Sequence, residues 1–311
     1  MRALVTGGAG FIGSHLVAQL LQEGHHVRVL DNLSNGTTGN LAEVLGEIEF
    51  IQGDIADSSI CETACTSMEV VFHLGALGSV PRSLADPLSS HKANATGTLN
   101  LLQAARTNKV NRFVNSSSSS VYGGGAHNVG IVESSPLMPK SPYAVTKRNT
   151  EDYCRVFYEC FGIETVSLRY FNVYGPRQKA VGDFVAVIPG FIQALLNDQA
   201  PVVHGDGRQT RDFTYVSDIV QAIILASSAL GIAGKSFNVA YGQEVSLLEI
   251  MEELAIILEK PISLRHVDRR LSDVDHTLAD ISAARTLLGY APVVNFRQGL
   301  RSTAEYYVKN R

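Results

Sequence analysis

Long apolar runs are missing from this sequence. The longest uninterrupted ones fall far short of the roughly 20 residues that cross a bilayer, so no membrane span is expected. A basic stripe is missing too. Lys and Arg number 26 against 30 Asp and Glu, a formal net charge of −4, and the two signs are mixed along the chain. Such a pattern marks neither a nucleic-acid surface nor a charged tail. Cysteine is scarce, with only Cys61, Cys65, Cys154 and Cys160 present. Cys61 and Cys65 are spaced for one helical face, but no second His or Cys pair at ligand spacing accompanies them, so no metal is expected. The four read as free thiols of a reducing compartment. No signal peptide is expected, because Ala3-Leu4-Val5 already reads as a strand, and the expected location is the cytoplasm. There is no repeat of fixed period and no long Gly/Ser/Pro linker. The one low-complexity patch is the serine run at residues 116–120.

What remains is ordinary globular usage. Hydrophobic residues make up 45% of the 311 and charged ones 18%, enough for a sizeable core. Strands are expected at residues 3–6, 26–31, 48–52, 70–74, 112–116 and 165–169. Most are near-continuous apolar runs, as parallel strands covered on both faces require. Helical patterns lie between them, such as residues 12–22, where Leu16, Leu20 and Leu21 form a stripe and Gly24 a stop. Repeated β-α units predict an α/β doubly wound parallel sheet with right-handed crossovers. Beyond about residue 175 the alternation weakens. Helices at 184–197, 217–229, 247–258 and 296–308 mix with short strands at 202–204, 237–239 and 262–265. The expected division is a nucleotide-binding unit over residues 1–175. Residues 176–311 are expected to form mainly a smaller α+β lobe, with some segments returning to the first unit.

Thr6-Gly7-Gly8-Ala9-Gly10-Phe11-Ile12-Gly13 follows the first strand and opens the first helix. A glycine pattern alone is weak, but strand, tight turn and helix are all in place here. Gly7 allows the turn, Gly10 lets a pyrophosphate approach the backbone, and Gly13 lets helix and sheet pack closely. The helix N-terminus supplies free N–H groups for phosphates, as in a Rossmann-type fold. Asp31 closes the second strand, where a carboxylate accepts hydrogen bonds from ribose hydroxyls and repels a 2′-phosphate. NAD is therefore expected rather than NADP. Asp54, after the third strand, is placed either to reach the adenine or to cap a helix.

Ser141-Pro142-Tyr143-Ala144-Val145-Thr146-Lys147 reads as a helix start, with Ser141 as cap and Pro142 in the first turn. Tyr143 and Lys147 are then at i and i+4 on one face. A phenol titrates near pH 10, too high for a base at neutrality. A nearby ammonium and a positive nicotinamide ring are expected to bring it into working range.

Together these residues resemble the extended short-chain dehydrogenases/reductases of the NAD-dependent nucleotide-sugar epimerase/dehydratase family, nearly end to end. Further segments carry the likeness: Asp31-Asn32-Leu33, Gly53-Asp54, His73-Leu74, Asn94 with Gly97-Thr98, and stretches at 116–123, 169–177, 205–212 and 270–280. The resemblance implies a tightly bound NAD. Its contacts would be Gly7, Gly10, Phe11, Ile12, Gly13, Asp31, Asn32, Asp54 and Ile55. Leu74, Asn94, Ser116, Tyr143, Lys147 and Tyr170 would complete them. It implies a catalytic Ser118, three residues before the Val121 of Val121-Tyr122-Gly123, bridging the substrate oxygen and Tyr143. It also implies a homodimer built from helices at about 90–107 and 142–161.

The neighbours of that serine bear on the reaction. Sugar 4,6-dehydratases of the family place Asp-Glu directly after it, and decarboxylases usually a Glu before the Val-Tyr-Gly. Here Ser119 and Ser120 stand in those places, and neither can drive elimination. What remains is oxidation and re-reduction at one carbon, a 4-epimerisation. Asn172, Arg211 and Arg270 match residues that hold the substrate diphosphate, for which forked arginines suit. Val187-Ile188-Pro189 resembles a uracil-holding segment, and Asp273 a ribose contact, though Leu271-Ser272 departs from the pattern. His204 is a further expected substrate contact.

Gly78 and Ser79 lie in a stretch resembling the subgroup acting on UDP-N-acetylhexosamines. With Ser119 they are expected beside the sugar. Thr277 falls where galactose-only epimerases carry a bulky Tyr, leaving room for an N-acetyl group. The implied reaction is interconversion of UDP-GlcNAc and UDP-GalNAc, with the UDP-Glc/UDP-Gal pair as further candidates. One rival is a UDP-glucuronate 4-epimerase, which usually has Thr in place of Asn172, or another NAD-dependent nucleotide-sugar oxidoreductase. Another is a catalytically silent NAD-sensing protein on the same fold, against which Ser118, Tyr143 and Lys147 argue.

Overall fold

The structure, a computed structural model, describes residues 1–180, 185–269 and 274–311. Arg270 and Asp273, expected at the substrate site, and the first residue of the expected helix at 184–197 lie outside the described residues.

Seven parallel strands form the central sheet. They are β1 (Arg2–Thr6), β2 (His26–Asp31), β3 (Glu49–Gln52), β4 (Val70–His73), β5 (Arg112–Ser118), β6 (Glu164–Tyr170) and β7 (Ser236–Val239). Their order is β7-β6-β5-β4-β1-β2-β3. The order reverses between β1 and β4, and a ligand crevice opens beyond the carboxyl ends of strands at such a point. Both faces are covered, so β4 is buried along its whole length. The helix Phe11–Gln22 buries Leu16, Val17 and Leu20 on one side. Each such burial contributes roughly 1.5–3 kcal/mol. The helix Pro142–Phe161 buries Ala144, Lys147, Glu151, Cys154 and Phe157.

Two segments expected in the second half of the chain belong to the sheet. Strand β7 pairs in parallel with β6 through Ser236↔Ser167 to Val239↔Tyr170. The helix Val216–Ser228 packs Ile219, Ala222, Ile223 and Ala226 into the same core as β1 and β4. A separate apolar cluster, with Ile188, Phe191, Leu195, Val203, Phe213, Ile250, Leu254 and Leu300, holds the smaller lobe. The lobe carries a three-stranded sheet in which Thr210–Asp212 lies between Glu244–Ser246 and His276–Thr277. Val202–His204 pairs with Arg265–Val267, so the strand expected at 262–265 lies three residues later. The helix Leu247–Leu258 starts on a reciprocal cap between Ser246 and Glu249. Among the described residues no helix is long and apolar enough to cross a membrane.

Candidate active site

The crevice between β1 and β4 opens into one cleft of about 1010 Å³ that continues to the smaller lobe. Gly7 turns the chain after β1 at φ +69°, and a Cβ there would lie 2.8 Å from the Gly75 backbone nitrogen. A Cβ at Gly13 would sit on the Gly7 carbonyl oxygen. Both positions therefore need glycine, one for conformation and one for close approach. Gly7, Gly10, Phe11, Ile12 and Gly13 all line the cleft.

Asp31, at the end of β2, also lines it. One carboxylate oxygen accepts from Ala9 N–H at 3.0 Å and the other from Leu33 N–H at 2.8 Å. Burial raises this carboxyl above its ordinary value, and the two backbone bonds pull it back. Each oxygen keeps a lone pair for a further donor. Asn32 Nδ2 donates to Asp54 at 3.0 Å, joining two more cleft-lining residues. Asp54 accepts from Ala56 N–H at 2.8 Å in a local turn. The cap of the next helix, Ser58–Cys65, is Asp57. Ile55 and Leu74 complete this half of the wall.

The serine run sorts by strand alternation. Asn115 and Ser117 face the helix Pro142–Phe161, where Asn115 Nδ2 donates to Thr150 at 3.1 Å and Ser117 Oγ donates to Glu151. Ser116 Oγ instead meets the Tyr170 hydroxyl at 3.0 Å. Ser118 faces the Tyr143 phenol and favours its ionised form. Ser141 caps the helix by accepting from Ala144 N–H at 3.2 Å, and Pro142 occupies the first turn. Lys147, one turn beyond Tyr143, donates from Nζ to the Ser116 carbonyl at 2.6 Å.

Burial raises the Tyr143 phenol above its ordinary value, and the Ser118 hydroxyl lowers it part of the way. Burial also lowers the Lys147 ammonium to about 8, opposed by the Glu151 carboxylate. The expected lowering of the phenol calls for the Lys147 ammonium together with a bound nicotinamide ring. In the protein alone, burial raises the phenol and Ser118 is what lowers it.

On the opposite wall Asn172 Nδ2 donates to the Thr277 hydroxyl and to the Asp212 carbonyl, each at 3.3 Å. Arg211 donates to the Asp275 carbonyl at 3.1 Å. Asn172, Arg211, Thr277, Gly78, Ser79 and Ser119 all line the cleft. Ser79 also caps the short helix Val80–Ala85.

The NAD dependent epimerase/dehydratase family model matches residues 3–240. The chain belongs to this family.

Relatives of this epimerase/dehydratase chain share its full length. It is 37% identical to a UDP-glucose 4-epimerase of Mycolicibacterium smegmatis, over 99% of this chain and 98% of that one. A solved UDP-N-acetylglucosamine 4-epimerase from Methanobrevibacter ruminantium, in complex with UDP-N-acetylmuramic acid, is 38% identical with a TM-score of 0.94. That match covers 100% of this chain and 99% of the other. A UDP-glucuronic acid 4-epimerase from Bacillus cereus, in complex with UDP-glucuronic acid and NAD, is 34% identical with a TM-score of 0.93, each chain covered fully.

The family's NAD fits the residues present. The glycine turn leaves no room for a side chain, the helix Phe11–Gln22 starts at it without a side-chain cap, and Asp31 ends β2 beside it.

Four expected contacts sit elsewhere. Asn94 is buried behind the wall, not on it. It lies in a single π-helical turn, Lys92–Thr96, and its amide accepts from Leu77 N–H at 2.8 Å and donates to Thr146 at 3.0 Å. It braces the Leu77 loop against the Tyr143 helix. Ile188 points into the lobe core at 1% exposure, and Val187 opens the helix above it outside the cleft lining. His204 Nδ1 donates to the Asp268 carbonyl at 3.0 Å, also outside the lining. No sequence motif marks a site role for Asn40, whose amide donates to Ala9 O at 2.9 Å under the glycine turn, or for the cleft cations Arg82, Lys140, Arg177 and Lys179. Arg177, in Tyr174-Gly175-Pro176-Arg177, was the most findable. Its φ of +66° follows a proline, and its Nη1 donates to the Ser14 carbonyl at 3.3 Å.

Proposed function

We propose that this chain is a UDP-sugar 4-epimerase that interconverts UDP-GlcNAc and UDP-GalNAc, with UDP-Glc and UDP-Gal as further substrates. The carrying observation is the pairing of Ser118 with Tyr143 in a cleft where the two following positions are Ser119 and Ser120. A proton acceptor is present, and the two positions hold no acid to assist elimination.

NAD bound in the cleft supplies the acceptor, and later the donor, of a hydride at the sugar's C4. Tyr143 takes the proton from the sugar O4 and later returns it, with Ser118 bridging phenol and sugar oxygen. Lys147, anchored on the Ser116 carbonyl, would hold the nicotinamide ribose when NAD is bound. Asn172 and Arg211 hold the diphosphate, so the oxidised sugar can turn about that anchor and present its other face. Forked, charge-assisted donors suit such a diphosphate grip.

The assignment of the sugar is supported by Thr277. Its small side chain lines the cleft and is held by Asn172. The Methanobrevibacter relative, solved with an N-acetylated UDP-sugar, agrees with it. The same reading includes a cytoplasmic homodimer; the exposed apolar side chains Val145, Tyr153 and Val156 on the second expected helical segment support the pairing of two copies.

The test is incubation with UDP-GlcNAc, UDP-Glc and UDP-GlcA separately, without added NAD, following C4 inversion by proton NMR. Inversion of UDP-GlcNAc is expected. Inversion of UDP-GlcA alone would replace the sugar assignment, and no inversion of any would end the epimerase reading.

A further inference from the structure

His127, Glu244 and His276 come from three distant segments; Glu244 and His276 stand on the two outer strands of the lobe's three-stranded sheet and meet His127 across Thr210 of the middle strand. One ligand-capable atom from each lies within 4.8 Å of the other two. His127 Nδ1 is 3.1 Å from a Glu244 carboxylate oxygen, and the two imidazole centroids are 4.7 Å apart. Two donors at zinc bond lengths and a tetrahedral angle lie roughly 3.3 Å apart, so the first pair already has the right separation.

The surrounding hydrogen bonds prepare these groups. The Thr210 hydroxyl donates its single proton to Glu244 Oε1 at 2.7 Å. It can then only accept from His276 Nδ1, 2.8 Å away. That sets the tautomer of His276 and leaves Nε2 with a bare lone pair. A ligating histidine that donates its other N–H to a neighbouring oxygen is the usual support of a metal site. The Asn128 N–H donates to Glu244 Oε2 at 3.1 Å, so the carboxylate is oriented from both ends.

We propose that His127, Glu244 and His276 bind one divalent transition-metal ion of the zinc type. Two imidazoles and one carboxylate suit a borderline ion, whereas calcium and magnesium take oxygen shells. Water fills the remaining position, because His127 is exposed. The ion ties the segment after Gly123 to the strand His276–Thr277, to which Gly125 N–H already donates at 3.0 Å through the His276 carbonyl. Thr277 reaches the cleft and His276 does not, so the ion stiffens the cleft wall without entering it. The three ligands share no local spacing in the sequence, so spacing alone predicts no metal here.

The experiment is equilibrium dialysis of the full chain against Zn²⁺, with a parallel Co²⁺ titration read by visible absorption. Cys160→Ser serves as background, removing the exposed thiol as a competitor. One ion per chain and the intense absorption of tetrahedral cobalt are expected. His127→Ala and His276→Ala should each weaken binding at least about tenfold. Thr210→Val, which keeps all three ligands, should weaken it about 10–100-fold. Melting in EDTA checks that each variant is folded, and His127→Ala, losing an exposed ring, should match the parent. Zinc should slow amide exchange across residues 124–131. Absence of stoichiometric binding, or parental affinity in either histidine variant, would overturn the site. No sugar nucleotide is used, so the outcome is independent of the epimerase reading.

Discussion

Lys147 Nζ and the Ser116 carbonyl oxygen stand 2.6 Å apart, a buried ammonium held by a neutral acceptor at the end of β5. The carbonyl replaces only part of the water the ammonium loses, so burial lowers Lys147 to about 8 from its ordinary 10.5. Between those values the unfolded chain holds more protons than the folded one, so the lysine makes stability rise with pH from about 8 to 10.5. Below 8 the fold carries the cost of a buried charge. Lys147→Met should flatten that window relative to wild type in denaturant titrations at stepped pH. Parallel curves would show that Lys147 does not titrate there.

If Tyr143 moves the proton, Tyr143→Phe should cut kcat by about 10²–10⁴-fold with little change in KM. Ser118→Ala should show a smaller loss of the same kind. Steady-state kinetics on UDP-GlcNAc measures both. A KM effect alone would make Tyr143 a binding residue.

The wall formed by Asn172 and Thr277 predicts selectivity. Thr277→Tyr should suppress UDP-GlcNAc turnover on the order of tenfold more than UDP-Glc turnover, since the ring takes the space of an acetamido group. Competition assays with both sugars read this directly. Equal losses on both would remove Thr277 as the gate.

Glu151 and Arg169 form a buried pair through bonds of 2.6, 2.9 and 3.1 Å, each side chain 6% exposed. Ser117 adds a further donor to Glu151, and Tyr122 accepts from Arg169 at 2.6 Å. Removing one partner strands the other charge. Glu151→Ala should therefore lower the unfolding free energy by about 3–5 kcal/mol. Chemical denaturation checks the size, and the double variant with Arg169→Met should recover part of it.

What was legible in the sequence was local. Continuous apolar runs marked β1 to β6, because a strand covered on both faces has no polar side to show. Ser141-Pro142 marked the start of the helix carrying Tyr143 and Lys147. The glycine turn was legible because Gly7 and Gly13 each meet backbone within their own β-α unit or the next strand's end. Non-local pairings were not legible. Nothing in Ser236–Val239 says that it completes the main sheet, nor in Arg265–Val267 that its register begins at Arg265. The brace role of Asn94 needs Leu77 and Thr146 brought together by the fold, and the same holds for Glu151 with Arg169 and for His127 with His276.

Strand β7 has a consequence for synthesis. Its partner β6 emerges from the ribosome long before residues 236–239 do, so a growing chain exposes β6 as an open edge. Unpaired edges are templates for association between chains. A fragment ending near residue 175 would keep the glycine turn and the Tyr143 helix yet present that edge permanently. Such a fragment should aggregate rather than serve as a free-standing nucleotide binder, and the intact chain closes the edge only once about three quarters of it has been made.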